Sequence, residues 1–114
     1  MPTIVMLVPD LMFATRIEDA GKYLNYSVQS LAPDEDPDLA VTRTAARLLV
    51  VSLDAPDWVN AVKAAKRAGA RVLAFGSHKN IDAMQAARAA GCDEVVARSR
   101  MAGELPNLLK KYVE

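Results

Sequence analysis

One histidine and one cysteine among 114 residues limit what this chain can do chemically. Ser52 and His78, together with an aspartate, are the residue types of a nucleophile, a base and an orienting group. Such a triad also needs an oxyanion hole, and the Gly-x-Ser-x-Gly elbow that usually presents the serine does not occur in the sequence. Without an adjacent base the Ser52 hydroxyl is a weak nucleophile, and a small polar residue bonded locally at a strand end is the simpler reading. His78 then reads as a solvent-facing loop histidine. Neither Gly-x-Gly-x-x-Gly nor the P-loop pattern occurs, so the sequence signals no backbone cradle for the phosphates of a nucleotide. Arg98, Ser99 and Arg100 could grip an anion, although an ion pair is the more ordinary use of Arg98. Cys92 stands alone, which leaves no intramolecular disulfide or multi-thiolate metal site and favours a small apolar role in a reducing compartment. These residues call for no cofactor and no metal.

Fourteen Lys plus Arg balance fourteen Asp plus Glu. That balance removes the positive field that non-specific binding to nucleic acid or an acidic membrane needs. Lys63, Lys66 and Arg67 read as a solvated helix face. The apolar start, Thr3 to Val8, is closed by Asp10 well short of the roughly 18 residues of a membrane span, and no basic leader precedes it. The sequence is therefore expected to be a single soluble, cytoplasmic domain over residues 1–114, a length that suits one core of roughly 100 to 150 residues.

Any such chemistry must be held in place by the elements around it. Short runs rich in Val, Leu and Ile recur at Thr3 to Val8, Arg47 to Leu53, Arg71 to Phe75 and Glu94 to Ala97. Runs without polar alternation predict strands buried on both faces. Between them, Phe13, Ile17, Ala20 and Leu24 share one helical face, as do Val59, Val62 and Ala65, and then Ile81, Met84 and Ala87. Asp57 and Asn80 are placed to cap the later two helices, and Gly69 and Gly91 fall where left-handed C-terminal caps sit. Tyr26 to Leu31 alternates like an edge strand, Pro33 to Asp38 reads as an acidic loop, and a short helix follows. From Gly103 to Val113, Leu105, Leu108, Leu109 and Tyr112 form a last helical face, with Pro106 in the first turn. Strands alternating with helices imply right-handed crossovers, and hence a (βα)5 flavodoxin-like sandwich around a parallel five-stranded sheet of order 2-1-3-4-5.

In that topology the crevice lies beyond the carboxyl ends of the strands, where the winding reverses. Pro9 and Asp10 then face Ser52, Leu53 and Asp54, while Gly76, Ser77 and His78 come from the fourth strand and Arg98 and Ser99 from the fifth.

Three blocks along this rim, Leu7-Val8-Pro9-Asp10, Val50-Val51-Ser52-Leu53-Asp54-Ala55-Pro56 and Gly91-Cys92-Asp93-Glu94-Val95-Val96-Ala97-Arg98, resemble those of response-regulator receiver domains. The likeness extends over nearly the whole chain. Receivers carry an acidic pair after the first strand, a phospho-accepting Asp at the end of the third with Pro four residues later, Thr or Ser after the fourth, and Lys after the fifth. Pro56 lies four residues after Ser52, so the resemblance puts Ser52 at the acceptor position. It puts Pro9 and Asp10 at the acidic pair, Gly76 at the Thr or Ser position with Ser77 one step on, and Arg98 at the Lys.

The resemblance thus implies a stand-alone pseudo-receiver of bacterial two-component signalling, which binds a protein partner or a second copy of itself and is not an enzyme. It also implies a docking face on the fourth and fifth strands and their helices, offering Met84, Arg88, Arg100, Met101 and Lys110. A two-residue slip of register would keep Asp54 on the face of Ser52, which leaves a receiver phosphorylated on Asp54 as one alternative. A small α/β ligand-binding domain or enzyme using the same crevice is the other. With no metal to neutralise the rim carboxylates, Arg98 is expected to pair with Asp10 or Asp54, its planar fork offering two parallel hydrogen bonds.

Overall fold

The computed structural model describes residues 1–32 and 34–114, so Pro33, the first residue of the expected acidic loop, lies outside it. The chain alternates strand and helix: β1 (Thr3–Leu7), α1 (Leu11–Tyr23), β2 (Ser27–Ser30), α2 (Pro37–Thr44), β3 (Leu48–Ser52), α3 (Trp58–Arg67), β4 (Arg71–Gly76), α4 (Ile81–Ala89) and β5 (Glu94–Ala97). Two further helices follow, α5 (Arg98–Gly103) and α6 (Leu105–Val113). The five strands are parallel and lie in the order β2-β1-β3-β4-β5. This is the expected doubly wound sandwich, with one addition: the last expected helix, α6, is preceded by a short helix, α5, that starts directly at the end of β5.

Because side chains alternate across a strand, the central strands feed two separate cores. On one face Ile4, Met6, Leu48, Val50, Leu73 and Phe75 pack against α1, α5 and α6. On the other, Val5, Leu49, Val51, Val72 and Ala74 pack against α2, α3 and α4. Phe13 of α1 stacks on Phe75, with ring centroids 4.6 Å apart. Alanine dominates the contacting faces of α3 and α4, which lets these helices sit close to the sheet.

Termini of the helices follow local chemistry. Asn80 caps α4 by accepting from the Ala83 amide at 3.2 Å, and Gly69 and Gly91 take positive φ just past α3 and α4. The acidic stretch is only partly a loop, since Asp36 caps α2 and Pro37 and Asp38 form its first turn. Asp57 departs from expectation: it occupies the cap position of α3 at φ 58° but its side chain makes no capping bond. A residue already in the left-handed region cannot hold the extended backbone from which an N-cap side chain folds back onto the helix. At the far end of the molecule the Tyr26 hydroxyl donates to Glu114 at 2.6 Å. Burial and that bond push the Tyr26 pKa up to about 12.

Gly21 marks the tightest approach between layers, because a Cβ there would run into Val28 Cγ2. A glycine inside a helix costs roughly 1 kcal/mol against alanine, so the exchange would otherwise favour alanine. We expect Gly21→Ala to destabilise the fold by about 1 to 3 kcal/mol in urea unfolding, and Val28→Ala in the same chain to recover most of the loss.

Candidate functional site

The carboxyl ends of β1, β3, β4 and β5 bring together Pro9 and Asp10, Ser52 to Asp54, Gly76 to His78, and Arg98, as the topology required. Asp10, Ser52, Ser77, Asp54 and Arg98 are engaged within the protein. Asp10 is exposed and caps α1, its Oδ1 accepting from the amides of Met12 and Phe13 at 3.0 and 3.3 Å. Ser52 closes β3 and is only 2% exposed, and its Oγ accepts from the Asp54 amide at 3.2 Å. That bond shapes the turn by which the chain leaves the core. Ser77 Oγ in turn accepts from the Lys79 amide at 3.2 Å. His78 is exposed, and no histidine contact orients Ser52 for nucleophilic attack.

Gly76 carries a constraint that residue types alone do not reveal. A Cβ at this position would lie 3.2 Å from Leu53 Cβ and 3.3 Å from its Cδ1. The Leu53 side chain, itself buried, crowds the place where a side chain on residue 76 would begin and would have to give by a few tenths of an ångström. The leucine beside the expected acceptor is therefore part of the site, and only the missing side chain at Gly76 hinted at it.

Arg98 begins α5 and pairs with Asp54, not with Asp10, through one Nη2 bond of 2.6 Å. The expected fork of two bonds is not formed, and Nε is buried without a partner. The two side chains retain 43% and 56% of their exposure. Solvent therefore screens the pair, and its contribution falls in the range of an exposed bridge, about 0 to 1 kcal/mol, below that of a buried one. Ser77, His78, Arg98 and Ser99 line an open cavity beside it.

The expected docking face is altered by α5. Met101, expected on the docking face, is fully buried and packs in the core with Leu105 and Leu109, because α5 turns it inward. Met84 is half-buried against α3 and the sheet. Arg88 and Lys110 are exposed. Arg100 is exposed as well but bound to Glu104 at 3.1 Å and Glu94 at 3.7 Å. Glu94 also accepts from the Tyr112 hydroxyl at 2.5 Å and lies 3.6 Å from Lys111. The Tyr112 bond, helped by Lys111 and Arg100 and opposed by partial burial, holds Glu94 below the usual carboxylate range. Cys92 is half-buried, and burial pushes its thiol up to about 11, which leaves little thiolate to react at neutral pH. Lys66 and Arg67 are not simply solvated: they bind Asp93 and Asp38. Among the described residues, no helix is long and apolar enough to cross a membrane.

No family model and no curated protein sequence matches the chain. Solved structures do. A CheY-like response regulator receiver domain protein from Methanospirillum hungatei JF-1 superposes with a TM-score of 0.81 at 14% identity, over 99% of this chain and 94% of that one. A DNA-binding response regulator of the LuxR family from Staphylococcus aureus gives 0.81 at 12% identity over the whole of both chains. The chemotaxis protein CheY4 of Vibrio cholerae gives 0.78 at 12% identity over 98% of each. The chain has the CheY-like receiver fold.

That fold implies a bound Mg2+, which receivers hold with carboxylates as hard oxygen ligands. The donors present do not fit it. Pro9 offers no side-chain oxygen, Asp10 is committed to the α1 cap, the Ser52 hydroxyl is buried and bonded, and Asp54 is held by Arg98. Among the described residues no three His, Cys, Asp or Glu side chains converge. No step through a metal is drawn from these residues.

Two measurements test these assignments. In a double-mutant cycle of Arg98→Met with Asp54→Asn, the coupling should be about 0.2 to 1 kcal/mol and fade with salt, as for exposed pairs. The same cycle with Asp10→Asn should show none. The second concerns Glu94. A depressed folded pKa contributes stability above the unfolded value, roughly 4.3, which is lost as pH falls through the folded value. Glu94→Gln should therefore melt below the wild type at pH 7, and the two should converge in acid.

Proposed function

We propose that this chain is a receiver-like signalling module that acts by binding proteins and does not accept a phosphoryl group at the conventional position. The observation that carries the reading is Ser52, a buried and internally bonded hydroxyl at the end of β3. There the receiver resemblance calls for a carboxylate nucleophile. Leu53 occupying the space beside Gly76 supports it, as does the Asp54–Arg98 pair, which supplies a fixed opposite charge where receivers carry a mobile lysine. The module's natural setting on this reading is the cytoplasm of a bacterium, in two-component signalling, with a protein partner or a second copy bound over α4, β5 and α5. Of the residues first expected there, Arg88 and Lys110 are free at the surface, Met84 is half-buried and Arg100 is held in ion pairs.

Asp54 gives the second reading its footing, since it is the exposed rim carboxylate two residues beyond Ser52. Incubation with acetyl phosphate and Mg2+, followed by intact-mass spectrometry, separates the two. We expect no adduct of phosphoryl mass. A hydroxylamine-sensitive adduct that disappears in Asp54→Asn would establish phosphorylation on Asp54 and overturn the reading.

A further inference from the structure

On the opposite side of Asp10 from Arg98, the loops after β1, β2 and β3 enclose a second groove of about 370 Å3. That volume falls at the lower end of ligand clefts, which run from roughly 300 to 1,000 Å3. Its walls are apolar: Leu7, Pro9 and Leu11 on one side, Leu31 and Pro37 on another, and Pro56 and Ala61 on the third. Leu11 is 81% exposed and Met12 beside it 78%, so the apolar surface continues out of the groove along the first turn of α1. Burying such a surface is favourable at roughly 25 cal/mol per Å2.

The charged residues that line this groove are acidic, and Arg43 offsets one of them. Among the described lining residues the charged ones are Glu35 and Asp57, and Asp10 and Asp36 adjoin them in the same loops. Glu35 is already engaged, by Arg43 at 3.1 Å and the Ala32 amide at 3.1 Å. Asp10 and Asp36 cap helices. Asp57 differs from all of these. It sits at the head of α3 in the left-handed region, makes no capping bond and is exposed, so its carboxylate stands at the lip of an apolar slot. Non-glycine residues held in that conformation cluster at binding sites.

We propose that this groove is a docking site for a partner segment that inserts an apolar side chain flanked by lysine or arginine. The apolar anchor fills the slot and the flanking cation meets Asp57. Rim charge of this kind selects the partner and speeds encounter. The proposal rests on the reading of the chain as a protein-binding module, and names the chemistry of one partner surface. It does not depend on the α4 and β5 face or on the phosphorylation state of Asp54.

The test is a titration of the 15N-labelled protein with two synthetic peptides, each of two leucines flanked by arginines or by glutamates, and with hexylamine. Amide shifts at Leu31, Ala32, Asp57 and Ala61 should move and saturate with the arginine peptide and stay still with the glutamate peptide. Asp57→Asn, which keeps a residue tolerant of positive φ, should weaken binding about threefold, the worth of one exposed ion pair. Absence of these shifts, equal response to both peptides, or shifts confined to α4 and β5 would overturn the proposal, the last while leaving the module a protein binder. Saturation by hexylamine alone would overturn it in favour of a small amphipathic amine.

Discussion

A parallel sheet has to be covered on both faces, and in this molecule the strand that bears that constraint is β3. All five of its residues are buried, with Leu48 and Val50 in one core and Leu49 and Val51 in the other. Nothing along such a strand can carry chemistry except its carboxyl end, where the loops part. Ser52 is the last residue still inside, and Asp54 is the first polar residue outside. The turn between them, fixed by the hydroxyl of one accepting the amide of the other, moves the carboxylate from the floor of the crevice to its rim.

Electrostatics at the rim are set by that displacement. A carboxylate on the floor would be poorly solvated and would require a metal or a close ammonium. Asp54, being half-exposed, needs neither and settles with a guanidinium that water also reaches. Arg98 brings a planar, permanently charged group of lower hydration than an ammonium. The charge of the crevice is thereby balanced inside the chain by a contact that solvent weakens.

Much of this architecture was legible in the sequence because buried parallel strands leave unbroken apolar runs, and Leu48 to Val51 or Val72 to Phe75 admit few alternatives. The glycines after α3 and α4 and the Asn80 cap were equally local, and local signals survive folding. What escaped depended on direction. Met101 reads as a surface residue until a short helix starting at Arg98 turns it inward. Asp57 has the residue type of a cap but a backbone that denies it the bond. Asp10 and Asp54 were indistinguishable as partners for Arg98, since spacing along the chain says nothing about which of two loops leans across a crevice. Leu53 gave no signal of its own, because a leucine after a buried strand is unremarkable until its neighbour on β4 proves to be glycine.

Leu53 and Gly76 also bear on how the site could change over evolutionary time. A leucine packed this closely over a missing side chain makes the two positions interdependent: a side chain at 76 would press on Leu53, and a smaller residue at 53 would loosen the packing over Gly76. The packing therefore ties residue 53 to residue 76, and either position changes with least strain when the other changes with it.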